Sequence, residues 1–249
     1  MLSFPVRYYR WFPAEEHLGQ TAAMVDLDPT HTAFLLVDPY LPSETDLSSK
    51  DYALWRDATL DHIAPALAAA RRAGLPVVYA VNSAPRVALG RSAFARKLHL
   101  SLGLDMEDAF QEPAVDGFEY CQGERHQLHF PESVAPKPGD YYVRKSCYSG
   151  FHGTRLEILL RNLEIHHLIC VGFRLDACLM STMLDALYRN HEIILLRDCT
   201  LASELPHEID DLAFTRRMIL WFEALVGVTA DSEAFIAGCE GLASDQQRG

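Results

Sequence analysis

The chain has 249 residues, of which 49% are hydrophobic, and this length and composition are typical of one globular α/β domain with a well-filled core. Its 22 lysine and arginine residues against 34 aspartate and glutamate residues give a formal net charge of −12, which argues against nucleic-acid binding. No apolar run approaches the roughly 18 residues of a membrane span, so we expect a soluble, cytoplasmic protein that binds neither nucleic acid nor membrane.

The chain divides into three predicted parts. Residues 1–30 form an N-terminal arm, residues 31–236 a single α/β domain, and residues 237–249 a C-terminal tail. The arm carries the aromatic run Tyr8-Tyr9-Arg10-Trp11-Phe12 but no apolar run of the kind found in signal peptides. Such an arm packs on its own domain, packs across a subunit boundary, or covers a pocket.

Strands and helices alternate in the first part of the domain. Ala33–Val37 is a continuous apolar run that predicts a strand buried on both faces, and Asp38 follows it. Residues 56–73 are rich in alanine, leucine and arginine and predict a helix. Residues 76–81 predict the next strand, which finishes at Asn82.

The segment at 83–140 is irregular. It contains several prolines and one predicted helix at about 92–102, but no long apolar period. A long insertion of this kind in an α/β domain serves as a lid or specificity loop, or it is a surface excursion without a role in the site.

A regular alternation then resumes. The predicted elements are, in chain order, a strand at 141–144 that leads to Lys145, a helix from Thr154 with Glu157 in a capping box, a strand at 167–172, a helix from near Cys178 to about 190, a strand at 193–196, a helix at 208–225, and a weak strand with a short C-terminal helix. Strands and helices of these lengths predict a parallel sheet covered on both faces, with right-handed crossovers.

Three reactive side chains fall at one edge of this predicted sheet. Ligands of open parallel sheets bind outside the carboxyl ends of the strands, and Asp38, Lys145 and Cys178 each follow such an end. Taken singly, they are a turn residue, a solvated lysine and a packed cysteine. Taken together, an acid, an amine and a thiol at one edge indicate nucleophilic catalysis by cysteine.

Cys178 is the predicted nucleophile. At the start of a helix, the helix dipole and free backbone N–H groups favour the thiolate, and a nearby Lys145 favours it further. Asp38 is placed to accept the thiol proton and pass it to a leaving amine. The turn at 172–177 would present backbone N–H groups that stabilise a tetrahedral oxyanion.

Several blocks of the chain resemble the isochorismatase-like cysteine hydrolases over roughly residues 30–235. They are the apolar run ending in Asp38, Lys145 to Phe151 with Gly153, Thr154 and Leu156, and Gly172 to Cys178 followed by Ser181, Thr182, Asp185 and Ala186. The resemblance implies a three-layer αβα sandwich with a mostly parallel six-stranded sheet, and a catalytic triad of Asp38, Lys145 and Cys178. It also implies a cis peptide between Phe173 and Arg174, with the N–H groups of Arg174 and Cys178 forming the oxyanion hole.

The resemblance implies an amidohydrolase that cleaves a C–N bond of a small linear amide, ureide or N-carbamoyl compound through a thioester. The chain looks most like the ureidoacrylate amidohydrolase branch, with Tyr40, Asn82, Tyr148 and Arg174 as the expected substrate contacts. Tyr40 stands where a glutamine is usual, and Arg174 stands where a small residue is usual. An arginine beside the oxyanion turn is suited to pairing with a substrate carboxylate.

The same resemblance leads to expectations about cofactors and leaves alternative functions open. Residues 81–84 lack the Asp-x-His pair of metal-binding nicotinamidases, so we expect neither a metal nor an organic cofactor. An isochorismatase-type vinyl-ether hydrolase and a non-catalytic binding relative remain as alternatives. No glycine-rich phosphate loop supports a nucleotide-binding protein. Relatives imply a homo-oligomer, a dimer or tetramer.

Overall fold

The structure of the protein is a computed structural model that describes residues 1–13, 15, 19–41, 49–82, 93–102 and 130–246. Within these residues the chain forms eight strands: β1 (Leu2–Arg10), β2 (Gly19–Leu27), β3 (Thr32–Val37), β4 (Val77–Asn82), β5 (Tyr141–Lys145), β6 (His167–Gly172), β7 (Glu192–Leu196) and β8 (Val228–Ala230). The helices there are α1 (Ser49–Asp57), α2 (Ala64–Arg72), α3 (Ala93–Leu102), α4 (Leu156–Asn162), α5 (Cys178–Leu187), α6 (Ala213–Leu225) and α7 (Ser232–Gln246), with a π-helical stretch, Ala58–Ile63, between α1 and α2.

One sheet contains all the described strands, in the order β2-β1-β8-β7-β6-β3-β4-β5. The six strands from β8 to β5 are parallel, as predicted. The predicted count of six is wrong for the whole sheet, because β1 and β2 form an antiparallel hairpin that joins the edge of β8. The outer strand β2 is mostly solvent-exposed, so its sequence lacks the apolar run that reveals the central strands.

The two faces of the sheet are covered by different helices. Alternate residues of β3 point to opposite sides: Phe34 and Leu36 pack with α1, α2 and α7, whereas Leu35 and Val37 pack with α4, α5 and α6. All of β3 is buried, which explains why its sequence is continuously apolar rather than alternating. The result is the three-layer αβα sandwich that the sequence predicts.

Two helix starts differ from the prediction. The first helix begins at Ser49 rather than residue 56. The helix predicted at 208–225 begins at Ala213, because the carboxylate of Glu204 accepts the N–H groups of Phe214 and Thr215 and so caps the helix there.

The predicted capping box at Thr154 is also absent among the hydrogen bonds of the described residues. Thr154 Oγ1 accepts the N–H of Leu156, where α4 begins, at 3.1 Å. Glu157 instead accepts a hydrogen bond from Arg189 Nε at 2.8 Å. The hydroxyl of Thr154 therefore caps the helix from two residues before its first turn, without the reciprocal glutamate bond.

The N-terminal hairpin packs on the chain's own domain. The buried carboxylate of Glu223 in α6 accepts hydrogen bonds from Arg7 Nε at 2.6 Å, Gln20 Nε2 at 2.8 Å and Thr229 Oγ1 at 2.6 Å. The N-terminal arm therefore packs on its own domain, which is one of the three placements that the sequence left open. The network fixes both strands of the hairpin against α6 and β8.

The insertion at 83–140 is described only in part. The helix expected near 92–102 is α3 (Ala93–Leu102), while residues 83–92 and 103–129 lie outside the described residues, so the lid hypothesis stays a prediction. In the described part of the chain, no helix combines the length and apolar character that crossing a membrane requires.

Candidate active site

The register of the sheet brings the carboxyl ends of four strands, β3, β4, β5 and β6, to one edge. Val37 pairs with Ala80 and with Gly172, and Asn82 pairs with Lys145. Because β4, β3 and β6 are parallel neighbours, the residues that follow their carboxyl ends share one side of the sheet. Asp38 takes a left-handed backbone conformation (φ 48°) directly after β3, which turns the chain at this edge.

Asp38, Asn82 and Lys145 form one buried hydrogen-bonded cluster. Lys145 Nζ donates to Asp38 Oδ2 at 2.6 Å and to Asn82 Oδ1 at 2.5 Å. Asn82 donates its backbone N–H to Asp38 Oδ1 at 2.8 Å and its side-chain amide to Asp38 Oδ2 at 3.1 Å. Asp38 and Lys145 are both almost fully buried. A buried ion pair with its remaining lone pairs and protons satisfied is geometrically well held.

The charge on Lys145 is preserved despite burial. Burial by itself opposes the ammonium charge, but the carboxylate of Asp38 and the sulfur of Cys178 outweigh it and raise the pKa of Lys145. The cluster therefore keeps a permanent positive charge beside the carboxylate and the sulfur.

Cys178 opens α5 and faces this cluster. The Asn82 amide nitrogen lies 4.0 Å from Cys178 Sγ. Thr182 Oγ1, one turn further along the helix, donates to the Cys178 carbonyl at 2.7 Å and accepts the N–H of Gly150 at 2.9 Å. The threonine thus ties the first turn of α5 to the segment that follows Lys145.

The predicted stabilisation of the Cys178 thiolate is wrong for the free protein. Burial raises the pKa of the Cys178 thiol to about 12, and the charge and hydrogen bond of Asp38 add to the rise, while Lys145 lowers the pKa by less. Burial and the carboxylate of Asp38 therefore prevail over the amine of Lys145. In the free protein the sulfur of Cys178 therefore carries its proton at neutral pH.

The turn between β6 and α5 contains the two backbone N–H groups that the sequence predicts for an oxyanion hole. The peptide bond between Phe173 and Arg174 is cis, as the resemblance implied. The Arg174 carbonyl accepts the N–H groups of Ala177 and Leu179 at 3.0 and 3.1 Å. Within the described residues, the N–H groups of Arg174 and Cys178 donate to no backbone carbonyl, so both are available to a bound group.

The four predicted substrate contacts occupy different positions. The Asn82 amide is engaged inside the acid–amine cluster, and it also donates to the Tyr40 hydroxyl at 3.1 Å. Burial, then the charges of Asp38 and Cys178, raise the pKa of Tyr40 well above its usual value, so its phenol is neutral. Tyr148 is partly buried, and its pKa is raised by burial and by the charges of Cys178 and Asp176.

The fourth predicted contact, Arg174, extends toward α1. Its guanidinium carbon lies 4.6 Å from the centroid of the Trp55 ring, and its Nη1 donates to the Ala202 carbonyl at 2.8 Å. Trp55 is a neighbour of the site that the sequence did not reveal, since it precedes the helix predicted at 56–73. The sequence signal that could have found Trp55 is its helical spacing: it lies three and four residues before Ala58 and Thr59, which are buried on the same face of the helix.

Known proteins match this chain in both sequence and fold. The sequence profile of the Isochorismatase domain matches residues 47–225, which is more than half of the chain. The matched range contains Lys145 and Cys178 and begins after Asp38. Ureidoacrylate amidohydrolase RutB from Pantoea ananatis (strain LMG 20103) is 27% identical over 191 residues, which cover 75% of this chain and 75% of the relative.

Solved structures share the fold. A cysteine hydrolase from Pseudomonas syringae pv. phaseolicola 1448A matches with a TM-score of 0.64 and 22% identity, covering 94% of this chain and 98% of that one. An isochorismatase from Pseudomonas putida KT2440 matches with a TM-score of 0.57 and 17% identity, covering 84% and 92% of the two chains. At these identities the likeness concerns the architecture.

Proposed function

The chain belongs to the isochorismatase family, and from this premise we propose that it is a cysteine-dependent amidohydrolase that cleaves a C–N bond of a small linear amide, ureide or N-carbamoyl compound. The observation that carries the proposal is the meeting of a thiol, a carboxylate and an ammonium in one buried cluster, at Cys178, Asp38 and Lys145. The similarity to ureidoacrylate amidohydrolase RutB supports C–N bond cleavage as the reaction type.

The first half-reaction forms a thioester. Asp38 accepts the proton of Cys178 as the sulfur attacks the substrate carbonyl, because a thiol whose pKa is about 12 is not ionised beforehand. The N–H groups of Arg174 and Cys178 hold the oxyanion of the tetrahedral intermediate. Asp38 then gives its proton to the departing nitrogen, the C–N bond breaks, and the acyl or carbamoyl group stays on the sulfur.

The second half-reaction releases the product. Asp38 accepts a proton from a water molecule as that water attacks the thioester carbonyl. The C–S bond breaks, and the proton returns to the sulfur, so that both Asp38 and Cys178 regain their starting states. Throughout, the ammonium of Lys145 balances negative charge that passes between carboxylate and sulfur, which its raised pKa permits.

The test is ammonia release from a panel of small ureides and amides by the full chain and by its Cys178→Ala variant. We expect the variant to fold and to lose turnover by at least about three orders of magnitude. Cys239→Ala is the matched control, because Cys239 is a buried cysteine in α7 on the far side of the fold from α5. Near wild-type ammonia release by Cys178→Ala would refute the mechanism.

A second assay distinguishes C–N bond cleavage from vinyl-ether cleavage. The same proteins are assayed for pyruvate release from isochorismate, which reports vinyl-ether cleavage. Pyruvate release that exceeds ammonia release and survives Cys178→Ala would favour the vinyl-ether alternative. Mass measurement of acid-quenched wild-type enzyme with a good substrate should show the added acyl group on the peptide that contains Cys178.

A further inference from the structure

The guanidinium of Arg174 is half-buried and forms no ion pair with the residues that the structure describes. Among the described residues, no carboxylate oxygen lies within 4.0 Å of it, and its one hydrogen bond is to the Ala202 carbonyl. Three carboxylates, those of Asp176, Asp51 and Glu204, act on the guanidinium electrostatically from beyond ion-pair distance. Asp176 accepts hydrogen bonds from Ser203, and Glu204 accepts them from the start of α6. Most of the guanidinium N–H donors therefore have no acceptor among the residues that the structure places.

The indole of Trp55 adds a second unused donor at the same place. Trp55 is 8% exposed, and its Nε1 is buried without a hydrogen-bond partner in the described part of the chain. Its ring is stacked under the Arg174 guanidinium and lies 4.4 Å from the Phe173 ring, centroid to centroid. Buried indole N–H groups normally have an acceptor, so an orphaned donor beside an unpaired cation indicates a missing acceptor of negative charge.

The backbone of Arg174 links this cluster to the reacting sulfur. The Arg174 carbonyl accepts hydrogen bonds from the residues on either side of Cys178, and its own N–H is one of the two available to an oxyanion. The backbone N–H that would hold a substrate carbonyl and the guanidinium over the Trp55 ring belong to the same residue, Arg174. The contact with the Trp55 ring also restricts the guanidinium, whose planar fork of N–H groups suits bidentate pairing.

We propose that Trp55 and Arg174 form a carboxylate subsite, so that the substrate is an anionic amide or ureide whose carboxylate lies a few bonds from the scissile carbonyl. The inference rests on the proposed function for the identity of the reacting end. The guanidinium pairs with both carboxylate oxygens, and the indole N–H donates to one of them. The subsite supplies the local positive charge that anion binding by a protein of net charge −12 requires.

The test measures binding without turnover. In a Cys178→Ser background, calorimetry gives the Kd of 3-ureidopropanoate and of its neutral isostere 3-methylbutylurea. We expect the carboxylate to bind more tightly, and Arg174→Leu to raise its Kd about 10- to 100-fold while changing the Kd of the neutral urea less than about threefold. Trp55→Phe, which keeps an aromatic face but removes the N–H, should raise the Kd of the carboxylate alone about fivefold.

The controls separate the subsite from folding and from catalysis. Arg189→Leu is matched, because Arg189 also lies over an aromatic ring, that of Phe151 at 4.9 Å, but is paired with Glu157 and Asp185. It should leave both Kd values unchanged. Arg174→Lys keeps a charged stem and, if the leucine variant fails to fold, should still weaken carboxylate binding. The subsite would be overturned if Arg174→Leu weakened the binding of both ureas equally, or if the Cys178→Ser protein bound neither urea or bound both equally well. A failure of the enzyme to release ammonia, with the carboxylate preference intact, would count against the proposed function and not against the subsite.

Discussion

The side-chain amide of Asn82 accepts a hydrogen bond from the Lys145 ammonium at 2.5 Å, and through its own N–H it also holds the carboxylate that faces this ammonium. Asn82 is therefore a positioning residue for the acid and the amine. We expect Asn82→Ala to lower kcat about 10- to 100-fold with little change in KM, because the proton acceptor loses its alignment with the sulfur. Steady-state kinetics with the best ureide measures both parameters.

A purely structural role for Asn82 would give a different result. It would lower the melting temperature and the amount of active protein while leaving kcat per active site unchanged. Active sites are counted by the mass shift of the trapped thioester. Asn162→Ala, at the exposed end of α4, is the matched control and should change neither parameter.

Removing the acid should make the thiol more reactive toward alkylation. Burial and the charge of Asp38 both raise the pKa of Cys178, whereas Lys145 lowers it. Asp38→Asn removes one raising cause and keeps the lowering one, so the pKa of Cys178 falls. We expect iodoacetamide to modify Cys178 several-fold faster in Asp38→Asn than in the wild type at pH 8, although the variant has no turnover.

Peptide mass spectrometry after timed alkylation measures this difference site by site. Cys239, which lies in α7 and is absent from the cluster, serves as the internal reference and should react at the same rate in both proteins. Lys145→Met should change the rate in the opposite direction, because the lowering cause is lost. A slower Cys178 in Asp38→Asn would contradict the electrostatic description of the site.

The central sheet was predictable because strands that are buried on both faces have continuously apolar sequences. Strands such as β3 and β6 are continuous apolar runs, and the polar residues that follow them mark the functional edge. The hairpin of β1 and β2 carries no such mark, since its outer strand is exposed and its inner strand pairs with β8 over a single bridge at Arg7. Edge strands depend on tertiary contacts that a local pattern does not contain.

The site was predictable in its members but not in its electrostatics. Strand ends identify Asp38 and Lys145, and a helix start identifies Cys178, all from local sequence. The ionisation of the thiol depends on how completely the surrounding elements exclude water, which is a property of the assembled fold. Trp55 escaped prediction for the same reason: only the packed structure places it under the Arg174 guanidinium.

Alkaline pH should destabilise the protein through its buried thiols. Burial raises the pKa of Cys170, in the middle of β6, far above its value in an unfolded chain. The folded state thus holds this proton more tightly than the unfolded state, and stability falls as the pH rises above about 8.5, where an unfolded thiol begins to ionise. We expect the melting temperature to fall steadily between pH 8.5 and 10.5.

The contribution of the Cys170 thiol can be isolated from the slope of the melting temperature against pH. Cys170→Ala loses some packing and should melt lower than the wild type at pH 7. Because the variant no longer has this titrating group, its melting temperature should decline less steeply between pH 8.5 and 10.5. Parallel curves for the two proteins would show that the buried thiol does not couple to folding.

The closest backbone approach at the functional edge should tolerate no side chain. Gly172 has a φ of +116°, and a Cβ atom there would lie 1.9 Å from the Val37 carbonyl oxygen, which accepts the N–H of Phe173 at 2.8 Å. A methyl group would therefore push β6 away from β3 between Asp38 and the turn that precedes α5. We expect Gly172→Ala to lower the free energy of unfolding by about 3 kcal/mol or more and to reduce kcat in whatever protein folds.

Gly139→Ala distinguishes a steric clash from backbone strain, because Gly139 has a φ of +99° but nothing within 4 Å of its Cβ position. That control should lose only about 1–2 kcal/mol in urea unfolding and keep full activity, so an equal loss in the two variants would mean that the φ angle, and not the contact between β6 and β3, sets the requirement for glycine.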